Sequence, residues 1–156
     1  MAAIDIRPAT EDDLPAVLAL YAQLATGDED SLPLDEARRV FARFDSYPDY
    51  TLYVATLEGR VVGTFALLIM DNLAHLGAPS GVVEDVAVAP DLQGQGIGKQ
   101  MMHFAMARCR ERGCYKLALS ANRKREAAHR FYESLGFRRH GYSFHIELPD
   151  NDTPSW

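Results

Sequence analysis

The segment Gln93-Gly94-Gln95-Gly96-Ile97-Gly98-Lys99 holds the residue types and spacing in this chain that could most directly do chemistry. It follows a β-rich run that stops at Val88-Ala89-Pro90, and it opens a long helical pattern. Such a loop can aim several backbone N–H groups, and the positive end of a helix dipole, at one anion. Glycine admits the open backbone this requires and lets a ligand approach without meeting a Cβ. The implied chemistry is the binding of phosphate or diphosphate. A tight strand-to-helix turn with no ligand is the alternative. Two common phosphate loops fail on spacing. The P-loop needs glycine where Gln93 stands and Ser or Thr where Gln100 stands, and the dinucleotide fingerprint needs glycine in place of Lys99.

What fits is Gln93-x-x-Gly96-x-Gly98 directly after Val88-Ala89-Pro90. This arrangement resembles the acetyl-CoA pyrophosphate loop of the GNAT superfamily of N-acetyltransferases. A second motif supports the resemblance: Asn122, then Ala128-His129-Arg130-Phe131-Tyr132-Glu133-Ser134-Leu135-Gly136-Phe137. The likeness runs from Ile4 to about Leu148. It implies acetyl-CoA as co-substrate, held by Gln93, Gly94, Gln95, Gly96, Ile97, Gly98 and Lys99 at the pyrophosphate. It further implies that the backbone of Val86, Ala87 and Val88, with Asn122, holds the pantetheine arm, and that Tyr132 sits beside the thioester sulfur. Simpler roles stay open for three of these. Asn122 could cap a helix, Lys99 could lie on a solvent face, and Tyr132 could be a core aromatic, since i,i+4 packing with Ala128 explains a ring there but not a hydroxyl.

The reaction so implied is attack of an amine on the thioester, with an oxyanion forming and a thiolate leaving. Thiols titrate near ~8.5 and tyrosine near ~10, so Tyr132 can protonate the departing sulfur. A backbone N–H within 86–88 would serve the oxyanion. The attacking amine, with a pKa near ~10, must lose a proton first. Glu84 is the candidate base, because alternation puts Val82, Glu84, Val86 and Val88 on one strand face. Asp85 points the other way, although a bulge would exchange the two. A salt bridge to an arginine is the competing role for Glu84.

For the acceptor, Gly81-Val82-Val83-Glu84-Asp85-Val86-Ala87-Val88 and Gly113-Cys114-Tyr115-Lys116 are similar to glucosamine-6-phosphate N-acetyltransferases. Ser120-Ala121-Asn122-Arg123-Lys124-Arg125 departs from the acidic pattern of those enzymes. The stretch from Ala128 to Tyr132, and on to Tyr142-Ser143-Phe144, is similar to aminoalkylphosphonate N-acetyltransferases. The resemblance therefore favours a small primary amine bearing an anionic or polar group. Arg123, Lys124, Arg125, Arg130, Arg138 and Arg139 could clamp such an anion, or form a solvated helix face. A peptide or protein acetyltransferase is the alternative, to which Asp28-Glu29-Asp30 would suit a basic substrate; a non-catalytic acyl-CoA-binding domain is a third reading.

The elements that must position these residues follow from periodicity. A first strand holds Ile4 and Ile6 and closes at Pro8. A helix capped by Thr10 carries Leu14, Val17, Leu18, Tyr21 and Leu24 to about Thr26, and a second covers about Leu34 to Phe44. Thr51 to Thr56 and Arg60 to Met70 read as a hairpin turning at Glu58-Gly59, with a further strand at Val82 to Val88. Then come a helix bearing Gly98, Met101, Met102, Ala105 and Cys109 on one face, a strand at Tyr115 to Ser120, a helix at Arg123 to Leu135 capped by Gly136, and a closing hairpin at Arg138 to His140 and Tyr142 to Leu148. The order βααβββαβαββ is an α/β class, mixed-sheet pattern and matches the GNAT fold. One domain over residues 1–149 and a flexible tail at 150–156 are expected.

At 156 residues, 47% apolar and 24% charged, the composition is that of an ordinary globular domain. A net charge of −6 argues against nucleic acid as partner. No apolar run reaches the ~20 residues that span a bilayer, so no membrane partner is expected. The N-terminus lacks the blocks of a secretion signal, and a cytoplasmic location is the expectation. Cys109 and Cys114 are expected as structural thiols, and the histidines show no ligand spacing, so no metal is expected. The alternating strand Tyr142 to Leu148 could pair across a two-fold axis in a homodimer, or be covered within one chain.

Overall fold

The computed structural model describes residues 3–24, 32–121 and 125–148. The chain divides into two compact units, Met1–Leu119 and Ser120–Trp156. In the first, β1 (Asp5–Pro8), β2 (Tyr50–Leu57), β3 (Arg60–Met70), β4 (Ser80–Val88) and β5 (Lys116–Leu119) lie side by side in that order. The first four are antiparallel, and β5 runs parallel to β4. Glu58 and Gly59 both have left-handed φ, 50° and 81°, which suits the two-residue turn joining β2 to β3.

Helices α1 (Leu14–Leu24) and α2 (Leu34–Ala42) cover one face of the sheet through Leu14, Val17 and Ala37, which pack on Leu52, Val54 and Ala66. The entry to α1 is fixed electrostatically. The Arg7 guanidinium donates to both Asp13 carboxylate oxygens at 2.7 and 2.9 Å, and the Thr10 backbone N–H donates to the same carboxylate at 2.7 Å. Arg7 holds the Asp13 carboxyl down at about 2.

Helix α3 (Ile97–Glu111) covers the other face with Ile97, Met101, Met102, Ala105 and Cys109 buried, so the methionine stripe is core. Burying side chains such as Ile97 and Met101 contributes about 1.5–3 kcal/mol each. Two glycines let the helix sit close: a Cβ on Gly63 would stand 2.8 Å from Met101 Sδ, and one on Gly81 would collide with Cys109 Sγ.

The second unit holds α4 (Glu126–Ser134). Gly136 ends it with φ +97°, while the N–H groups of Gly136 and Phe137 donate to the carbonyls of Glu133 and Tyr132, as a glycine C-cap requires. The expected closing hairpin is not formed: residues 138–148 carry no strand ladder, and Tyr142, Phe144, Ile146 and Leu148 are exposed. Alternation marks which residues could share a face, but a strand exists only where its N–H and C=O groups meet a partner. The acidic loop 27–30 and the tail 150–156 lie outside the described residues.

Candidate active site

The glycine loop begins with a tight helical turn at Pro90–Leu92, closed by the Leu92 N–H on the Ala89 carbonyl at 2.9 Å. Arg60, at the start of β3, grips Asp91 with two hydrogen bonds of 3.0 and 3.1 Å and anchors the turn to the sheet. The Gln93 carboxamide folds back to the Val88 carbonyl at 3.4 Å. Gly94 and Gly96 then take left-handed φ of 82° and 84°, and Gly96 is the N-cap of α3. The backbone N–H of Gln100 is the first to close onto the helix start, reaching the Gly96 carbonyl at 3.1 Å. Among the described residues, no acceptor meets the backbone N–H groups of Gln93 to Lys99. These donors stand at the positive end of a 15-residue helix, and Lys99 is exposed beside them. A diphosphate fits this arrangement.

Strand β4 offers a second set of free backbone groups. Its pairing with β5 covers only Ser80 to Val83. Beyond Val83 the strand keeps β3 on one side, while its other edge meets no strand among the described residues. The edge carrying Val86, Ala87 and Val88 therefore leads straight into the glycine loop, and an extended amide chain could pair with it as an added strand does.

The register slips by one residue within this segment. Ala66 pairs with Glu84 and Thr64 with Ala87, so Asp85 and Val86 together oppose Phe65. Asp85 has φ +54°, a left-handed backbone unusual for a side-chain-bearing residue. This bulge corrects the expected strand face. Glu84 shares the α1/α2 face with its partner Ala66, whereas Val88 pairs with Gly63, which lies under Ile97 and Met101 of α3. Glu84 and Val88 thus point to opposite faces, because one inserted residue reverses the alternation. The salt-bridge role for Glu84 finds no support: among the described residues neither Glu84 nor Asp85 has an ion-pair partner.

Two phenols approach the bulge from the same face. Burial, then the Asp85 charge, raise the pKa of Tyr21, while the Thr64 hydroxyl opposes the rise as a hydrogen-bonding neighbour. Burial, then the charges of Asp85 and Glu84, raise that of Tyr50. Both hydroxyls are neutral throughout the physiological range. Helical periodicity places Tyr21 in a packing stripe, and nothing local in the sequence marks Tyr50. Their convergence depends on which β4 residue is inserted, a property of cross-strand register. The one local signal was Thr64, a hydroxyl inside the apolar run Val61 to Met70.

In the second unit, Tyr132 meets Phe131 and Phe137 edge-on, with ring centroids 5.1 and 5.8 Å away. Burial raises its pKa and Arg125 pulls it down, with burial the larger effect. Tyr132 therefore keeps its proton. Asn122, Arg123 and Lys124 lie outside the described residues. Arg139, beyond the end of α4, pairs with Glu133 at 2.9 Å and Arg130 approaches Glu126 at 4.0 Å, all on exposed surface, which favours solvated surface pairs over an anion clamp for these two arginines. Cys109 is buried, its thiol pushed up to about 12 by desolvation and by Cys114, so it is no nucleophile near neutrality. Among the described residues no three His, Cys, Asp or Glu gather as a metal site, and no helix is long and apolar enough to cross a membrane.

Comparison with known proteins gives concordant results. The model of the Acetyltransferase (GNAT) family matches residues 14–137. Aminoalkylphosphonate N-acetyltransferase of Salmonella typhimurium is 31% identical over 144 residues, covering 92% of this chain and 91% of that protein. Glucosamine 6-phosphate N-acetyltransferase of Trypanosoma brucei brucei is 37% identical over 90 residues, which cover 58% of this chain and 59% of that one. Among solved structures, a putative acetyltransferase from Agrobacterium tumefaciens superposes with a TM-score of 0.86 at 35% identity, over 92% of this chain and 99% of its own.

Proposed function

From the premise that this chain belongs to the Acetyltransferase (GNAT) family, and is therefore an acetyltransferase, we propose that it transfers the acetyl group of acetyl-CoA to a small primary amine. The observation that carries this reading is the run of acceptor-free backbone N–H groups from Gln93 to Lys99, continuous with the open β4 edge at 86–88. The loop amides, with Gln95 and Lys99 beside them, bind the diphosphate; the β4 edge and Asn122 bind the pantetheine amides. Acetyl-CoA supplies an activated acetyl group, and the acceptor attacks it directly while both are bound.

The remaining roles belong to the chain. Glu84 removes a proton from the incoming ammonium, through water or directly, since only the neutral amine is nucleophilic. A backbone N–H within 86–88 stabilises the developing oxyanion. Tyr132 delivers a proton to the departing sulfur, and its raised pKa keeps that proton available. The names of the relatives, aminoalkylphosphonate and glucosamine 6-phosphate N-acetyltransferase, support an acceptor that carries an anionic group besides its amine.

The test is a CoA-release assay with acetyl-CoA against amino-sugar phosphates, aminophosphonates, amino acids and basic peptides. Release with the first two groups is the expected result. Turnover confined to basic peptides would replace the small-amine reading with a peptide one, and acetyl-CoA binding without turnover of any amine would leave a binding domain.

A further inference from the structure

Tyr21 and Tyr50 are hydroxyls that the proposed chemistry leaves without a task. Their placement follows from the rows that cross the α1/α2 face of the sheet. Leu52, Ala66 and Glu84 form one row by strand pairing, with Val54, Thr64 and Ala87 on one side of it and Tyr50, Leu68 and Val82 on the other. The β4 bulge, with Asp85 in its left-handed conformation, falls between the Glu84 and Ala87 rows. Tyr21 comes from α1 and packs against the cluster containing Leu52, Val54 and Ala66 and also against the one containing Leu20, Ala87 and Ala89. Its ring therefore spans the bulge, with its hydroxyl at Thr64. Tyr50 comes from the opposite side, held by stacking on Phe44 at 4.2 Å and by the edge of Tyr47 at 5.3 Å. Thr64 gives its own hydroxyl proton to the Tyr53 carbonyl at 2.8 Å.

The result is a patch of two carboxylates without a cationic partner among the described residues, with the neutral Tyr21 phenol within the field of Asp85 and the neutral Tyr50 phenol within that of both. A primary ammonium has three N–H donors and no acceptor, and this set of oxygens complements it. Each N-methyl group on the amine removes a donor and adds bulk where Tyr21 closes over the bulge.

We infer that Tyr21 and Tyr50 determine acceptor specificity, holding a primary ammonium against Glu84 and Asp85 at the β4 bulge and disfavouring N-methylated amines. This rests on the acetyltransferase reading above. Phenylalanine at either position keeps the ring and deletes only the hydroxyl. Steady-state rates with saturating acetyl-CoA would be measured for Y21F and Y50F, using 2-aminoethylphosphonate, glucosamine 6-phosphate and the N-methyl derivative of each. In both variants the acceptor KM rises about tenfold, the size expected for one hydrogen bond to a charged group. The preference for primary over N-methyl amine falls with it, while the acetyl-CoA Kd stays within about twofold and the thermal midpoint holds. Unchanged acceptor KM and unchanged preference in both variants overturn the inference. A KM rise that tracks loss of thermal stability and of acetyl-CoA affinity overturns it too, since that pattern marks packing alone. A wild-type protein that binds acetyl-CoA but releases no CoA with either amine refutes the proposed acceptor class, and this assignment with it.

Discussion

Replacing Gly94 with alanine isolates the contribution of loop conformation to co-substrate binding. A Cβ at this position meets nothing within 4 Å, so the substitution introduces no clash, and its whole effect comes from φ of +82°. Holding an L-residue in that left-handed region costs about 1–2 kcal/mol. Residues 93–95 are exposed and their amides have no acceptors among the described residues, so little else resists a change of conformation. The free loop relaxes, and binding must then restore the geometry. The same 1–2 kcal/mol appears as an acetyl-CoA Kd raised about 5- to 30-fold, with little change in thermal midpoint. Asparagine tolerates left-handed backbone, so Gly94→Asn should recover most of the affinity. Isothermal titration with acetyl-CoA on the three proteins makes the comparison. Wild-type affinity in the alanine variant, at an unchanged midpoint, would refute the claim that this conformation presents the binding amides.

Three further perturbations address other parts of the molecule. Tyr132→Phe should lower kcat about a hundredfold while leaving the acetyl-CoA Kd unaltered; because burial raises the Tyr132 pKa above 10, the wild-type enzyme should show no alkaline fall in kcat below that pH that vanishes in the variant. Glu84→Gln should reduce kcat/KM near neutrality about a hundredfold and make the rate climb toward the free amine's pKa of ~10, whereas an unaltered pH profile would remove Glu84 from the mechanism. Asp13→Asn should cost about 2 kcal/mol in urea unfolding at pH 7. The folded carboxyl lies at about 2 against an ordinary 3.8, so the stabilisation is complete above 3.8 and fades as pH falls toward 2; a deficit independent of pH would show that Arg7 is not its source.

The features legible in the sequence were those set by local periodicity and backbone need. The Glu58-Gly59 turn, the Met101-Met102 core stripe and the Gly136 cap each depend on neighbours a few residues away, and each is found as expected. The glycine loop was legible for the same reason, since left-handed φ at positions 94 and 96 favours residues without a Cβ. The β4 bulge was not. Nothing in Glu84-Asp85-Val86 announces an extra residue, because the insertion is defined against Phe65 on another strand. The two carboxylates could therefore be nominated but not oriented, and the phenols that face them could not be found at all. The Tyr142 to Leu148 alternation shows the converse, a clear pattern with no ladder to join.

Gly63 and Gly81 give the rod α3 its two bearings on the sheet, one beneath Ile97 and Met101 and the other beneath Cys109. Cys109 lies roughly 20 Å along the axis from Gly96. A side chain grown at Gly81 would wedge up the far end of a stiff body and so mis-aim the mouth at the near end. Affinity for the diphosphate can thus be lost at a place that touches no ligand. Positions 81 and 109 are free to drift only as a pair, a larger residue beneath the helix matched by a smaller one within it.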